Sequence, residues 1–252
     1  MVYPPGQGRS GQYLMQLWRK YLEQYAENDG KVEDQIVVGS YYSAEVFGFL
    51  SLTLDREGKF RNLIEQRVRY FSDGSQKARI FGDHLVNATF GIYNHLNTLC
   101  RQFGAGSASA LDLIEKVDTH VHHRIESANQ IERSTAAIRA AFPLLGLMTL
   151  VLDRGGLLTP AIRKVEQRFA AGASQSKSDW DHLLNGLYRM VEMMQLFVVL
   201  SDADLRAQVD QIASRFEEED QSADTRLKLR NGFCRLFELT HLLTTHLDEI
   251  LV

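Results

Sequence analysis

Apolar residues along this chain recur with helical rather than strand spacing. Leu14, Leu17, Trp18, Tyr21, Leu22 and Tyr25 fall at i, i+3, i+4, i+7, i+8 and i+11, which is one face of an amphipathic helix ending at Asp29-Gly30. Similar runs cover about 34–54, 59–71 and 76–103. They stop at Asp55-Arg56-Glu57-Gly58, Asp73-Gly74 and Gly104-Ala105-Gly106. Ser109, with Asp112 three residues on, reads as a capping box opening a helix towards Leu152, kinked or broken at Pro143. Thr159-Pro160 reads as an N-cap followed by proline, and Ser178, Ser201 and Asp224 each open a further helix. The β-branched cluster Ile36-Val37-Val38 is short, so the chain is expected to be all-α.

The pattern repeats. Gly48-Phe-Leu-Ser-Leu-Thr-Leu-Asp-Arg-Glu-Gly58 matches Gly146-Leu-Met-Thr-Leu-Val-Leu-Asp-Arg-Gly-Gly156 at an offset of 98 residues, and the match runs on without gaps through Asp83-His84-Leu85-x-Asn87 and Asp181-His182-Leu183-x-Asn185. Residues 48–87 share 13 identities in 40 positions with 146–185, where average composition gives roughly two or three by chance. A weaker match at offset 92 pairs Ser109, Asp112, Leu113, Val117 and Asp118 with Ser201, Asp204, Leu205, Val209 and Asp210. A third echo sets Gly39–Asp55 against Gly232–Asp248, with Glu45 over Glu238. The period exceeds that of a solenoid repeat. It leads to an expectation of two tandem helical bundles sharing one long central helix: a flexible arm at 1–12, a first unit at 13–141 and a second at 142–252.

Composition narrows the chemistry. A net charge of −4 argues against general nucleic-acid binding. Two cysteines, Cys100 and Cys234, make neither a disulfide framework nor a zinc site. The longest apolar stretch, Leu144 to Leu152, is broken by Gly146 and Thr149, and no signal peptide opens the chain, so no membrane span and a cytoplasmic location are expected.

His182-Leu-Leu-Asn-Gly186 resembles the His-x-Leu-Lys-Gly motif of histidine phosphotransfer domains, and His84-Leu-Val-Asn-Ala88 resembles it less. The resemblance implies phosphoacceptor roles for His84 and His182. Asn stands in place of the motif's Lys in both, which removes the cation that supports the phosphoryl group; the plainer reading is a His that bonds a neighbouring helix. Asp118, His122 and Glu126 share a helix edge at i, i+4 and i+8, a metal-ligand spacing if another helix adds donors, and otherwise a solvated edge. The Leu-Asp-Arg-x-Gly turn reads as a helix end with Gly in the left-handed region.

Tyr3, Trp18, Tyr21, Tyr25, Tyr41, Tyr42 and Trp180 are aromatics of the kind interfaces favour. The sequence therefore reads as a non-enzymatic helical adaptor or regulator that binds protein partners and needs no cofactor, with homo-oligomerisation open. A phosphotransfer-like module and a metal- or small-ligand-binding helical enzyme are the alternatives. Residues 1–28 are expected to pack across a groove of their own chain or of a second copy.

Overall fold

The computed structural model describes residues 10–28, 31–104, 107–125, 129–216 and 221–251. Nearly all of them are helical, and there is no strand among the described residues. The helices are α1 (Ser10–Glu27), α2 (Val32–Leu54), α3 (Arg61–Lys77), α4 (Phe81–Gly104), α5 (Ala108–Ile125), α6 (Gln130–Leu152), α7 (Thr159–Gln175), α8 (Asp179–Ser201), α9 (Arg206–Ser214) and α10 (Thr225–Leu251), with a short 3-10 turn at Ala203–Leu205.

Five long helices close a ring in the order α2, α4, α6, α8, α10 and back to α2. Cross-helix contacts fix their direction. At one end Tyr41 meets His84, Gln130 meets Asp83, Thr135 meets Asp179 and Arg226 meets Glu33. At the other end Gln102 donates to the Ser51 carbonyl, Cys100 to that of Leu144, and His246 reaches Asp202. Early residues meet early residues and late meet late, so all five run parallel. The shorter helices return the chain along the outside: α3 lies over α2 and α4, α5 over α4 and α6, α7 over α6 and α8, α9 over α8 and α10, and α1 over α10 and α2. One apolar core fills the ring, including Ile36, Phe47, Leu85, Leu96, Ile138, Leu145, Leu187, Met194, Phe233 and Leu236.

This position explains the composition of the inner helices. Each is flanked by two neighbours, faces the core inward and lies under outer helices, so apolar residues suit most of its circumference. It also corrects the expectation that no segment is fit to cross a membrane. α2, α6 and α8 are each 23 residues long, with 18-residue windows of mean hydropathy 1.2, 1.8 and 1.3. Three helices are therefore long and apolar enough to cross a membrane, and those windows are 72%, 67% and 50% buried within the protein itself. Counting uninterrupted apolar residues missed them because polar residues break the run without breaking the helix, Ser and Thr in α2 and α6, and Asn185, Arg189, Glu192 and Gln195 in α8. Ser43, Ser51 and Thr149 donate to the carbonyls of Gly39, Phe47 and Leu145, four residues back, and are satisfied inside their own helix.

The single helix expected from Ser109 to Leu152 is two, α5 and α6. Asn129 caps the second, its side-chain oxygen accepting from the backbone N–H groups of Ile131 and Glu132. α6 runs on through Pro143. Ser178 and Asp181 form the capping box of α8.

Helix boundaries recur at the offset found in the sequence: 54 and 152 end α2 and α6, 61–77 and 159–175 bound α3 and α7, and 81 and 179 open α4 and α8. The matched residues do matched work. Asp55 accepts the N–H of Phe60 at 3.1 Å, and Asp153 accepts that of Leu158 at 3.1 Å. Gly58 and Gly156 both take the left-handed region, at φ 69° and 67°.

α1 lies on α2 and α10 of its own chain, in an apolar cluster distinct from the main core. Leu17 and Tyr21 are buried there with Val38, Tyr42 and Phe237. Trp18 stacks on Phe237, ring centroids 5.7 Å apart.

Candidate functional site

Because the inner helices are parallel, their five N-termini meet at one rim. The positive ends of five helix dipoles gather there, and each first turn or cap carries acid: Glu33 and Asp34, Asp83, Glu132, Asp179 and Asp181, and Asp224. Two clefts open at this rim. One, of about 570 Å³, lies between α1, α2 and the start of α4, and is lined by Glu33, Asp34, Val37, Arg79, Phe81 and His84 among others. The other, of about 590 Å³, lies between α8 and α10 and is lined by Trp180, Asp181, Asp224 and Arg226 among others.

The rim holds both histidines singled out from the sequence, in different settings. The Tyr41 hydroxyl pairs with His84 Nδ1 at 3.0 Å, and Asn87 Nδ2 donates to the same hydroxyl at 3.2 Å. The half-buried His84 ring is thus held at the cleft wall by one nitrogen. At the matched position of α6 stands Arg139 instead of Tyr41, and His182 Nδ1 is buried without a hydrogen-bond partner among the described residues. Asn87 and Asn185, which occupy the place of the motif's Lys, are turned to the backbone. Each donates through Nδ2 to a carbonyl of the preceding outer helix, Phe71 at 3.0 Å and Phe169 at 2.9 Å.

A third cleft, of about 390 Å³, runs between α1 and α2, lined by Tyr13, Lys20, Glu23, Glu27, Tyr42 and Glu45 among others. It shares Gln24 and Glu27 with the rim cleft beside it. Burial pushes the Glu45 carboxyl up to about 7, against the opposing pull of Lys20. Glu238 on α10 is likewise raised to about 7 by burial, although Arg215 reaches it at 2.6 Å. The third sequence echo had aligned these two residues; what it could not convey is that both lie near α1, beside Tyr13 and Tyr21.

Asp118, from the expected metal edge, sits in a hydrogen-bonded network. It accepts from Tyr93, from Asn97 at 2.7 Å and from Arg101 at 2.7 Å. Arg67 joins through Asn94 and Asn97. The side chain of His122, and Glu126 altogether, lie outside the described residues, among which no group of three or more potential metal donors occurs. The network was not foreseen, since its members are scattered over α3, α4 and α5. Nor was His95, fully buried and pushed down to about 3 by burial and then by Arg67.

Of the expected partner-binding aromatics, Tyr3 lies outside the described residues. Trp18, Tyr21, Tyr25 and Tyr42 belong to the α1 cluster, Tyr41 holds His84, and Trp180 lines the α8–α10 cleft while packing partly on the core. No known family model, curated protein or solved structure matches the chain, so nothing about its chemistry comes from likeness.

Proposed function

We propose that the chain is a non-enzymatic helical adaptor, built by internal duplication of an inner–outer–inner helix unit, that holds binding clefts at the N-terminal rim of its ring. One contrast carries the reading. Residues common to the two segments hold the scaffold: Asp55 and Asp153, Gly58 and Gly156, Gly74 and Gly172, Asn87 and Asn185. Most residues that line the rim clefts differ from their matches, Glu33 against Ile131, Ile80 against Ser178 and Trp180 against Gly82, whereas His84 and Asp181 match His182 and Asp83. A duplicated frame with individual clefts suits recognition of partners at separate places on one rim.

The test is photo-crosslinking in native lysate from single positions on the full chain. Probes at Arg79 and Trp180 are expected to give discrete adducts, and a probe at Leu157, exposed at the opposite end, none. Equal adduct patterns from both ends would overturn the reading.

Phosphotransfer through His84 stands second. In its favour, the ring lines an open cleft and one nitrogen is held. The nearby Glu33 and Asp34 oppose a phosphoryl group by charge.

A further inference from the structure

Resting on the adaptor reading, we propose that the groove running along α2 between α1 and the start of α4 is a docking site for a lysine- and arginine-rich segment of a partner protein. The two clefts share Gln24 and Glu27 and so adjoin along α1 and α2. On α2 it runs from Glu33 to Glu45, about 18 Å at the helical rise per residue. That length accommodates five or so extended residues at about 3.3 Å each.

Part of its wall is apolar and aromatic. Val37, Val38, Ile80 and Phe81 line one half, with Ile80 58% exposed, and Tyr13 and Tyr42 line the other. Such walls suit the alkyl stems of long basic side chains, and aromatic faces attract their charged heads.

Charge selects the occupant. Four carboxylates line the groove, Glu23, Glu27, Glu33 and Asp34, against two cations, Lys20 and Arg79, while Glu45, pushed up to about 7 by burial, is only partly charged at neutral pH. The Arg79 guanidinium donates to the carbonyls of Gln76 and Ala78 and closes the end of α3. Glu33 is held by Arg226 at 2.7 Å, whereas Glu23, Glu27 and Asp34 stand exposed. His84 closes one end with its ring fixed by Tyr41. An acidic groove of this kind repels nucleic acid and anionic lipid surfaces and complements a basic peptide.

The experiment uses the full chain and fluorescence anisotropy with labelled eight-residue peptides, one alternating Lys and Arg with Ala, the other alternating Glu with Ala. The basic peptide is expected to bind at least about tenfold more tightly than the acidic one, and to weaken as salt is raised. The double reversal Glu27→Lys/Asp34→Lys, at exposed positions, is expected to weaken it by about tenfold or more, whereas Glu115→Lys/Asp210→Lys on distant exposed positions changes it less than about twofold. Equal binding of both peptides, or equal loss in both double variants, overturns the groove. Thermal melts establish that each variant is folded. If rim crosslinks persist in lysate with Glu27→Lys/Asp34→Lys unaltered from wild type, the groove assignment fails and the adaptor reading stands; if crosslinks show no rim preference, the adaptor reading itself fails.

Discussion

Asn87 fills the space that a side chain at Gly74 would need. A Cβ at Gly74 would lie 2.0 Å from Asn87 Oδ1, and at the matched place a Cβ at Gly172 would lie 2.1 Å from Asn185 Oδ1. Each Asn reaches over its glycine to the carbonyl three residues earlier on the outer helix, Phe71 or Phe169, and ties inner helix to outer helix.

Gly74→Ala should therefore destabilise the protein by about 1–3 kcal/mol, because Asn87 must swing away and lose its bonds to Phe71 and Tyr41. Gly172→Ala should cost less, since Arg139 stands at the position that matches Tyr41 and the Asn185 bond at stake is the one to Phe169. In Gly74→Ala/Asn87→Ala the clash is gone, and the double variant should lose less than the sum of its parts. Urea unfolding of the four-member cycle measures this, and strict additivity would show that the two residues are not coupled.

At the other end of α3 and α7, Gly58→Ala and Gly156→Ala should each cost about 1–2 kcal/mol from the left-handed backbone alone. No atom of the described residues crowds a Cβ at Gly58 within 4 Å, which makes it the cleaner test. Gly155 does not have positive φ, and Gly155→Ala should leave the melting temperature nearly unchanged.

Glu45 and Glu238 give the protein a pH dependence with a defined sign. Their folded-state values, about 7, lie above the ordinary carboxyl value of 4.5, so between those limits the folded chain holds protons that the unfolded chain has released. Their contribution is complete below about pH 4.5 and is lost as pH rises through about 7. Glu45→Gln/Glu238→Gln cannot titrate there. Wild type should lose stability relative to this variant as pH is raised from about 5 to about 7. His241, shifted down mainly by burial, acts in the opposite direction but is present in both proteins and cancels. Parallel melting curves over this range would refute the assignment.

Asp118→Ala should destabilise by about 1–3 kcal/mol, since it leaves Tyr93, Asn97 and Arg101 without their shared acceptor in a partly buried site. Asp118→Asn keeps an acceptor oxygen and should recover part of the loss. Chemical denaturation of the two variants side by side distinguishes a structural carboxylate from a dispensable one.

Helix existence and the principal turns were legible because they rest on local signals. Apolar spacing, Asp-x-x-Gly turns and the Ser178 cap need only neighbouring residues. Ring closure was not legible, for the pairings that create it join distant residues. Ser43 reaches the Phe233 carbonyl, and a Cβ at Gly39 would lie 3.2 Å from the Cys234 backbone nitrogen. The matched Asn residues were visible as a pattern, but their role depends on an outer helix folding back over them. The Tyr41–His84 pair escaped the sequence for the same reason: 43 residues separate its members.

The contact between α2 and α10 has a consequence for synthesis. Ser43 must wait 190 residues for the carbonyl it meets. Until α10 has left the ribosome, α2 and α8 each present an unpaired flank on a growing chain. Premature termination before Thr225 would leave the ring gapped, with two such flanks available to chaperones, proteases or other nascent copies.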